Sequence, residues 1–523
     1  MAFTSTGFIL FITAAVILFY IVPLKKRWLV LLAESYLFYA LASLQGLIYL
    51  TVTTLVTFGT AVWMQKIQNA GDLQTAVVTD KAEKKQLKAS IKKNKKKILT
   101  AGIVFSFGIL AILKYSNFVL FNFTSLFKLF SPGYKFNPIH FFVPMGISFY
   151  TFSVTSYLFD VYYNKYKARS NIFEYALYVS WFPALVQGPI NRNDQLHAEL
   201  FEKDHTFSLE NTEFAVQRIL WGFLKKLVIA DRAAQVVSYI FDNYDKLPNF
   251  IILFGLLFYS IQLYADFAGG MDVALGVSEL FGIHLNENFR QPYFSQSIAE
   301  FWRRWHITLG AWMKDYIFYP FSLSAGMLNL GKRLGEKSRY LGRVIPMCLG
   351  NLLVFLVVGI WHGAEWHFVL YGLFHGGIIV FSILMQPLYD RGISAFHINI
   401  KSKGWQLFRI IRTFYLVNLG CLLDDVTDLH QSWGMTKQLF SFTNWNLIRN
   451  FSFQGFGAKT IFVVLLFSAV WFVVSIRKEQ GADIRKSIAS RPLVLRWTLY
   501  MVLILSIPFF QSSHMAGFMY AQF

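Results

Sequence analysis

Apolar residues along the chain fall in long blocks rather than at helical or strand spacing. The blocks lie at 7–23, 28–44, 47–63, 98–113, 141–161, 173–190, 215–236, 251–267, 344–361, 368–384, 407–423, 460–474 and 495–510. Each approaches the ~17–25 residues that a helix needs to cross the hydrocarbon core of a bilayer. With no water at that depth, every backbone N–H and C=O needs a partner within its own segment, so helices are expected throughout. The pattern predicts an all-α polytopic membrane protein with about 11–13 transmembrane or re-entrant helices. No Pro/Ser-rich linker, soluble block or fixed-period repeat interrupts the series. A single membrane-embedded domain over residues 1–523 is therefore expected, with a lysine-rich cytoplasmic loop at 65–97 and C-terminal helices over 400–523.

Composition agrees with this pattern, since 55% hydrophobic and 18% aromatic residues exceed what a soluble core requires. The formal charge of +20 is distributed as topology. Lys25, Lys26 and Arg27 follow the first apolar block, and Lys81, Lys84, Lys85, Lys88, Lys92, Lys93, Lys95, Lys96 and Lys97 follow the third. Positive residues stay on the cytoplasmic side, so both clusters place the N-terminus outside the cell. The first block is expected to remain as an anchor, because its basic cluster comes after it and not before. Basic flanks of this kind meet anionic lipid headgroups, so the charge is no argument for nucleic acid. The lysine run reads as a solvated helix or flexible loop, or as a dock for an acidic carrier protein. Cys348 and Cys421, the only two cysteines, lie in apolar surroundings and provide neither a disulfide framework nor a metal cluster.

Polar chemistry concentrates in two constellations. The first runs from Asp266 and Asp272, which flank Gly269-Gly270 at the end of an apolar block, through Asn286-Glu287-Asn288-Phe289-Arg290 to Ser297–Tyr316. Charge inside a membrane is costly, so the two acids are expected to face a cavity or a partner, orient histidines or cap a helix. The segment Glu300-Phe-Trp302-Arg303-Arg304-Trp305-His306 reads as an interfacial helix in which Glu300 and Arg304 pair and Trp302 sits one turn before His306. Asp315 lies further along it. The second constellation is Trp361-His362-Gly363, then His367 and Tyr371-Gly-Leu-Phe374-His375. A neutral imidazole is suited to proton transfer, and Gly363 would admit a substrate or another helix beside it. A buried histidine can equally bond a carbonyl across helices. A metal is disfavoured by the absence of metalloprotease-type spacing and of a thiolate set.

Phe301-Trp-Arg-Arg-Trp-His306-Ile-Thr-Leu and Trp361-His362-Gly363-Ala364 resemble the membrane-bound O-acyltransferase family, in the branch that includes alginate O-acetylation and teichoic acid D-alanyl transfer proteins. Supporting motifs are Pro144-Met-Gly146-Ile-Ser148-Phe-Tyr150, Phe182-Pro183-Ala-Leu-Val-Gln187-Gly188-Pro189, Gly222-Phe-Leu-Lys225-Lys226 through Asp231, Asp266-Phe267 and Glu287-Asn288-Phe289. They occur in matching order over about 140–380, which marks the catalytic core. Leu416-Val-Asn418-Leu-Gly420-Cys-Leu-Leu-Asp424-Asp425 departs from the Phe-Arg-Ala-Asp-like stretch of the alginate branch, and this leaves the polymer open.

The resemblance implies a helical bundle around a tunnel, in the cytoplasmic (inner) membrane of a bacterium. His362 matches the essential histidine, His306 the second polar position and His375 the later Phe-His-Gly position, with Trp361, Trp305, Asp266, Asp272, Arg303 and Asp315 in support. It implies an acetyl-CoA or carrier-bound phosphopantetheine thioester as donor, with no permanently bound cofactor. It further implies an extracytoplasmic esterase-like acyltransferase as partner and a polysaccharide or cell-wall polymer as acceptor. The aromatic end, Gly517-Phe518-Met-Tyr520-Ala-Gln-Phe523, resembles the C-terminus thought to meet that partner. A secondary transporter or flippase is the rival of another class, and a pseudoenzyme scaffold the third.

Overall fold

The computed structural model describes residues 3–131, 133, 136–441, 457–513 and 517–519. Tyr520 to Phe523, part of the aromatic C-terminal motif, lie outside them. The described residues are helical, and the one strand-like pairing among them is an isolated antiparallel bridge between Phe289 and Trp305. Eight of the described helices are long and apolar enough to cross a bilayer: Leu44–Val77, Lys81–Phe127, Asn249–Leu280, Arg339–His362, Trp366–Leu384, Lys403–Asp425, Ala458–Glu479 and Leu493–Phe510. Rows of exposed Leu, Ile, Val and Phe on these helices are what a surface facing lipid requires, since the solvent there is itself apolar.

Of the remaining apolar blocks, 7–23 and 28–44 are continuous helices of 16 residues, Thr6–Ile21 and Arg27–Ala42, and the other three are interrupted, each for a local reason. Block 141–161 begins its helix only at Ile147, because Gly146 sits at φ 73° and a Cβ there would meet the Leu185 carbonyl oxygen at 2.1 Å. Block 173–190 is two short buried helices, Ile172–Ser180 and Phe182–Gln187, divided at extended Trp181 with Pro183 in the first turn of the second. Block 215–236 is carried by Leu209–Phe223 and Asp231–Asp242, joined through a wide π-helical turn at Leu224–Ala230.

The lysine-rich segment 65–97 is helical except at 78–80. Val78 is extended, and the Asp80 side chain caps the next helix by accepting from the Glu83 N–H at 2.7 Å. Lys81–Phe127, 47 residues, is about 70 Å long, more than twice a ~30 Å hydrocarbon core. Its N-terminal turns therefore belong outside lipid, where Lys88, Lys92, Lys93, Lys96 and Lys97 are exposed. Lys95 alone is turned inward, donating to Gln68 Oε1 at 2.9 Å and Asn164 Oδ1 at 2.6 Å.

The chain packs as two compact units. One takes the described parts of Met1–Val216, Ala274–Asn286 and Ala521–Phe523, and the other those of Gln217–Val273 and Glu287–Tyr520. In the first, Phe182 packs edge-on against Phe281 and tilted against Phe38. Tyr175 donates to Thr57 Oγ1 at 2.9 Å. The second unit holds both polar constellations.

Candidate functional site

Within the second unit, Ser297 caps a helix of seven residues, Ile298–Arg304, by accepting from Glu300 N–H at 3.1 Å. Glu300 reaches back to the Gln296 N–H at 2.9 Å and pairs with Arg304 at 2.8 Å. Ser297 and Glu300 thus satisfy backbone N–H groups on both sides of the helix start. The helix does not continue to His306, as the sequence reading expected. Trp305 is extended and His306 is left-handed at φ 47°. The cause is a clasp with the preceding turn: Arg290 N–H donates to Arg304 O at 2.9 Å, and Ile307 N–H to Asn288 O at 3.0 Å. The Asn288 side-chain oxygen also accepts from Thr308 N–H at 2.9 Å and Thr308 Oγ1 at 2.8 Å, and lies 3.4 Å from His306 Nδ1.

A non-glycine residue in this conformation costs about 1–3 kcal/mol and persists only where its surroundings dictate it. Here it aims the imidazole inward. His306 is 1% exposed, with its ring 4.9 Å from Phe267 and 5.7 Å from Trp361. Burial, with the His362 imidazole adding to it, pushes His306 down to about 3. It lies in a connection outside the long helices and is neutral at physiological pH.

His362 ends the helix Arg339–His362, and the Trp361 ring contacts both histidines, 5.2 Å from His362 and 5.7 Å from His306. Gly363 was expected to admit a substrate or another helix. A Cβ there would lie 2.1 Å from the Phe368 ring on the next helix, Trp366–Leu384, so it is that helix which takes the space. Gly359 and Gly372 bring the helices Arg339–His362 and Trp366–Leu384 into backbone contact: an added Cβ would meet the Phe368 and Phe355 carbonyl oxygens at 2.4 and 2.2 Å. Tyr371 then lies 5.2 Å from His362 and 4.8 Å from His375. Trp302 closes over His375 at 5.3 Å. Among the described residues neither His375 nitrogen has a hydrogen-bond partner. His367 has the structural arrangement, with Nδ1 2.9 Å from the Leu423 carbonyl and Nε2 3.1 Å from Glu365.

The acid facing His362 is Asp424, with Oδ1 3.5 Å from Nδ1. Its other oxygen accepts from the Tyr259 hydroxyl at 2.9 Å. Asp266 and Asp272 instead pair with lysines. The wide turn Leu224–Ala230 carries Lys225 and Lys226 inward, and Gly222 and Gly269 touch backbone to backbone beside it. Lys226 meets Asp266 at 2.5 Å and Asp231 at 2.9 Å. Asp272 takes Lys225 and, at 3.1 Å, Arg218, which also holds Glu287 at 2.6 Å. The Asp266 and Lys226 side chains are further tied to Met519 N–H at 2.9 Å and the Gly517 carbonyl at 3.0 Å.

His306, Trp361, His362 and His375 thus converge. Trp305 is buried among Phe267, Phe289 and Phe301 and supports the clasp, whereas Arg303 and Asp315 are exposed. Among the described residues no group of three or more His, Cys, Asp or Glu is placed to hold a metal ion. Asp424 and Tyr259 were missed by sequence reasoning. The one signal was an acid directly following an apolar block. Asn288 was present in a motif but given no role.

These features define a multi-pass helical membrane protein with a buried, aromatic-walled histidine cluster. The membrane-bound O-acyltransferase family model matches residues 48–334, over half the chain, ending after His306 and before His362. A probable alginate O-acetylase AlgI of Azotobacter vinelandii is 32% identical over 449 residues, 86% of this chain and 79% of the relative. A peptidoglycan O-acetyltransferase of Helicobacter pylori is 31% identical, covering 62% of this chain and 60% of the relative. A teichoic acid D-alanyltransferase of Bacillus subtilis is 29% identical, covering 53% and 67%. The chain belongs to the membrane-bound O-acyltransferase family and is an O-acyltransferase.

Proposed function

We propose that this O-acyltransferase moves an acetyl group from a cytoplasmic thioester to a hydroxyl on the far side of the inner membrane, toward O-acetylation of an extracytoplasmic polysaccharide or cell-wall polymer. The observation that carries this reading is the convergence of His306 and His362 on Trp361, both buried and both in edge contact with its ring. His362 is the general base. It takes the proton as the acceptor oxygen bonds to the thioester carbonyl carbon, and returns it to the sulfur when the C–S bond breaks, giving an ester and a free thiol. Neutral His306 positions the donor carbonyl or acceptor, and the tryptophans keep out the water that would hydrolyse the thioester.

Similarity to AlgI proteins over most of the chain favours acetyl as the group transferred. The donor is acetyl-CoA or a carrier-bound phosphopantetheine thioester entering on the lysine-rich side. The acetyl group is relayed to the polymer through an extracytoplasmic esterase-like partner. D-alanyl transfer to teichoic acid is a second reading, favoured by the similarity to the Bacillus subtilis protein.

Purified enzyme given labelled acetyl-CoA, acetyl-carrier or D-alanyl-carrier, with partner and glycan, distinguishes these readings. Label is expected on the acceptor from an acetyl donor, and its transfer is lost in His362→Ala with the fold retained. Transfer from the D-alanyl donor alone supports the second reading. A solute crossing liposomes with no acyl transfer, unaffected by that substitution, identifies a transporter and overturns both.

A further inference from the structure

Asp424 lies in the last turn of the helix Lys403–Asp425, and its side chain is 6% exposed. A carboxylate so placed needs partners, because an isolated buried charge is too costly to hold. Its two oxygens are divided between Tyr259 Oη at 2.9 Å and His362 Nδ1 at 3.5 Å. The three side chains come from three helices, Asn249–Leu280, Arg339–His362 and Lys403–Asp425, so tertiary structure alone brings them together. The His362 distance is in charge-pairing range and longer than a good hydrogen bond. Such contacts tighten when a base takes its proton.

We infer that Asp424 is the positioning residue of the base: it holds the His362 ring with Nδ1 toward the carboxylate, so that Nε2 is the nitrogen that takes the acceptor proton, while Tyr259 fixes the carboxylate. This rests on His362 being the base. As the proton arrives at Nε2, the imidazolium lies against a carboxylate already aimed at it, so no group has to reorient during the step. The other titratable groups near His362 are His306 from the Trp305–Ile307 connection, and Tyr371 and His375 from the helix Trp366–Leu384. Among the described residues, Asp424 is the carboxyl group placed in ion-pair range of the His362 ring. Asp425 follows Asp424 in sequence.

The test is steady-state acyl transfer against pH for the full-length enzyme and for Asp424→Asn, Asp424→Glu, Tyr259→Phe and His362→Ala. Asp424→Asn is expected to lower kcat on the order of 100-fold with KM unchanged. Losing the carboxylate makes the imidazole less basic, so the low-pH limb of its kcat profile moves to lower pH. Asp424→Glu recovers part of the rate, Tyr259→Phe loses less than Asp424→Asn, and adding Asp424→Asn to His362→Ala costs nothing more. Wild-type kcat and pH profile in Asp424→Asn overturn the inference. A lower kcat with an unmoved pH limb and a collapsed melting transition assigns Asp424 to stability, and also overturns it. Full activity in His362→Ala instead removes the reading on which the inference rests.

Discussion

At the scale of single residues, the site depends on how side chains are held as much as on which are present. Asn288 is the clearest case, since one side-chain oxygen accepts both the backbone N–H and the hydroxyl of Thr308 while facing His306. Asn288→Ala leaves a buried Thr308 N–H without its acceptor, at a cost of about 1–3 kcal/mol. It also releases the left-handed turn, so we expect a lower melting temperature together with a loss of kcat. An unchanged kcat would separate the clasp from catalysis. His306, held neutral by burial, makes a different prediction. A histidine whose folded value is depressed adds stability that is complete above about 6.5 and is lost as pH falls toward about 3. Between those values His306→Gln is therefore expected to show a shallower fall in stability with pH than the parent, measured by thermal unfolding. His306 and His362 were legible as residues in polar motifs within apolar surroundings. Their relation through Trp361 was not, because it depends on a left-handed residue that periodicity read as mid-helix. Asp424 was present in the sequence as an acid ending an apolar block, but its partner is 62 residues away and joined to it only by packing.

At the scale of elements, close helix approach sets the site. Gly372 cannot accept a side chain without displacing the backbone of Phe355. Gly372→Val is expected to force apart the helices that carry His362 and His375, losing activity while the distant lysine-rich helices remain folded. Activity and circular dichroism together read this out. Elsewhere, Lys226, Asp231 and Asp266 form a buried ionic group, each 2–3% exposed. Breaking a buried pair leaves a stranded charge, so Asp266→Ala should destabilise by about 3–5 kcal/mol in denaturant unfolding. Asp266→Asn should cost less, because an amide still offers an oxygen to Lys226. The apolar blocks made most helices legible, since bilayer crossing fixes both length and composition. The three interrupted blocks, 141–161, 173–190 and 215–236, were not, because their interruption comes from particular turns at Gly146 and Trp181 and from the wide turn at Leu224–Ala230, which leave total hydrophobicity unchanged.

At the scale of the whole molecule, charge and length together set the orientation we propose. The lysine-rich ends of Leu44–Val77 and Lys81–Phe127 project beyond any hydrocarbon core, and the positive-inside rule assigns them to the cytoplasm. A single cysteine introduced at Thr79, with Cys348 and Cys421 replaced, should react with a membrane-impermeant maleimide only when the cytoplasmic face is exposed. A cysteine at Thr4 should show the opposite. That result would place the donor side of the enzyme on the lysine-rich face.

The most direct measurement of the central claim is sided transfer in proteoliposomes. Acetyl thioester is supplied only on the lysine-rich side, the acceptor only on the other, and orientation is scored by the same maleimide labelling. We expect labelled ester to accumulate on the acceptor side at a rate proportional to correctly oriented enzyme, and to vanish in His362→Ala. Ester formed equally when donor and acceptor share one side, or undiminished in His362→Ala, would contradict it.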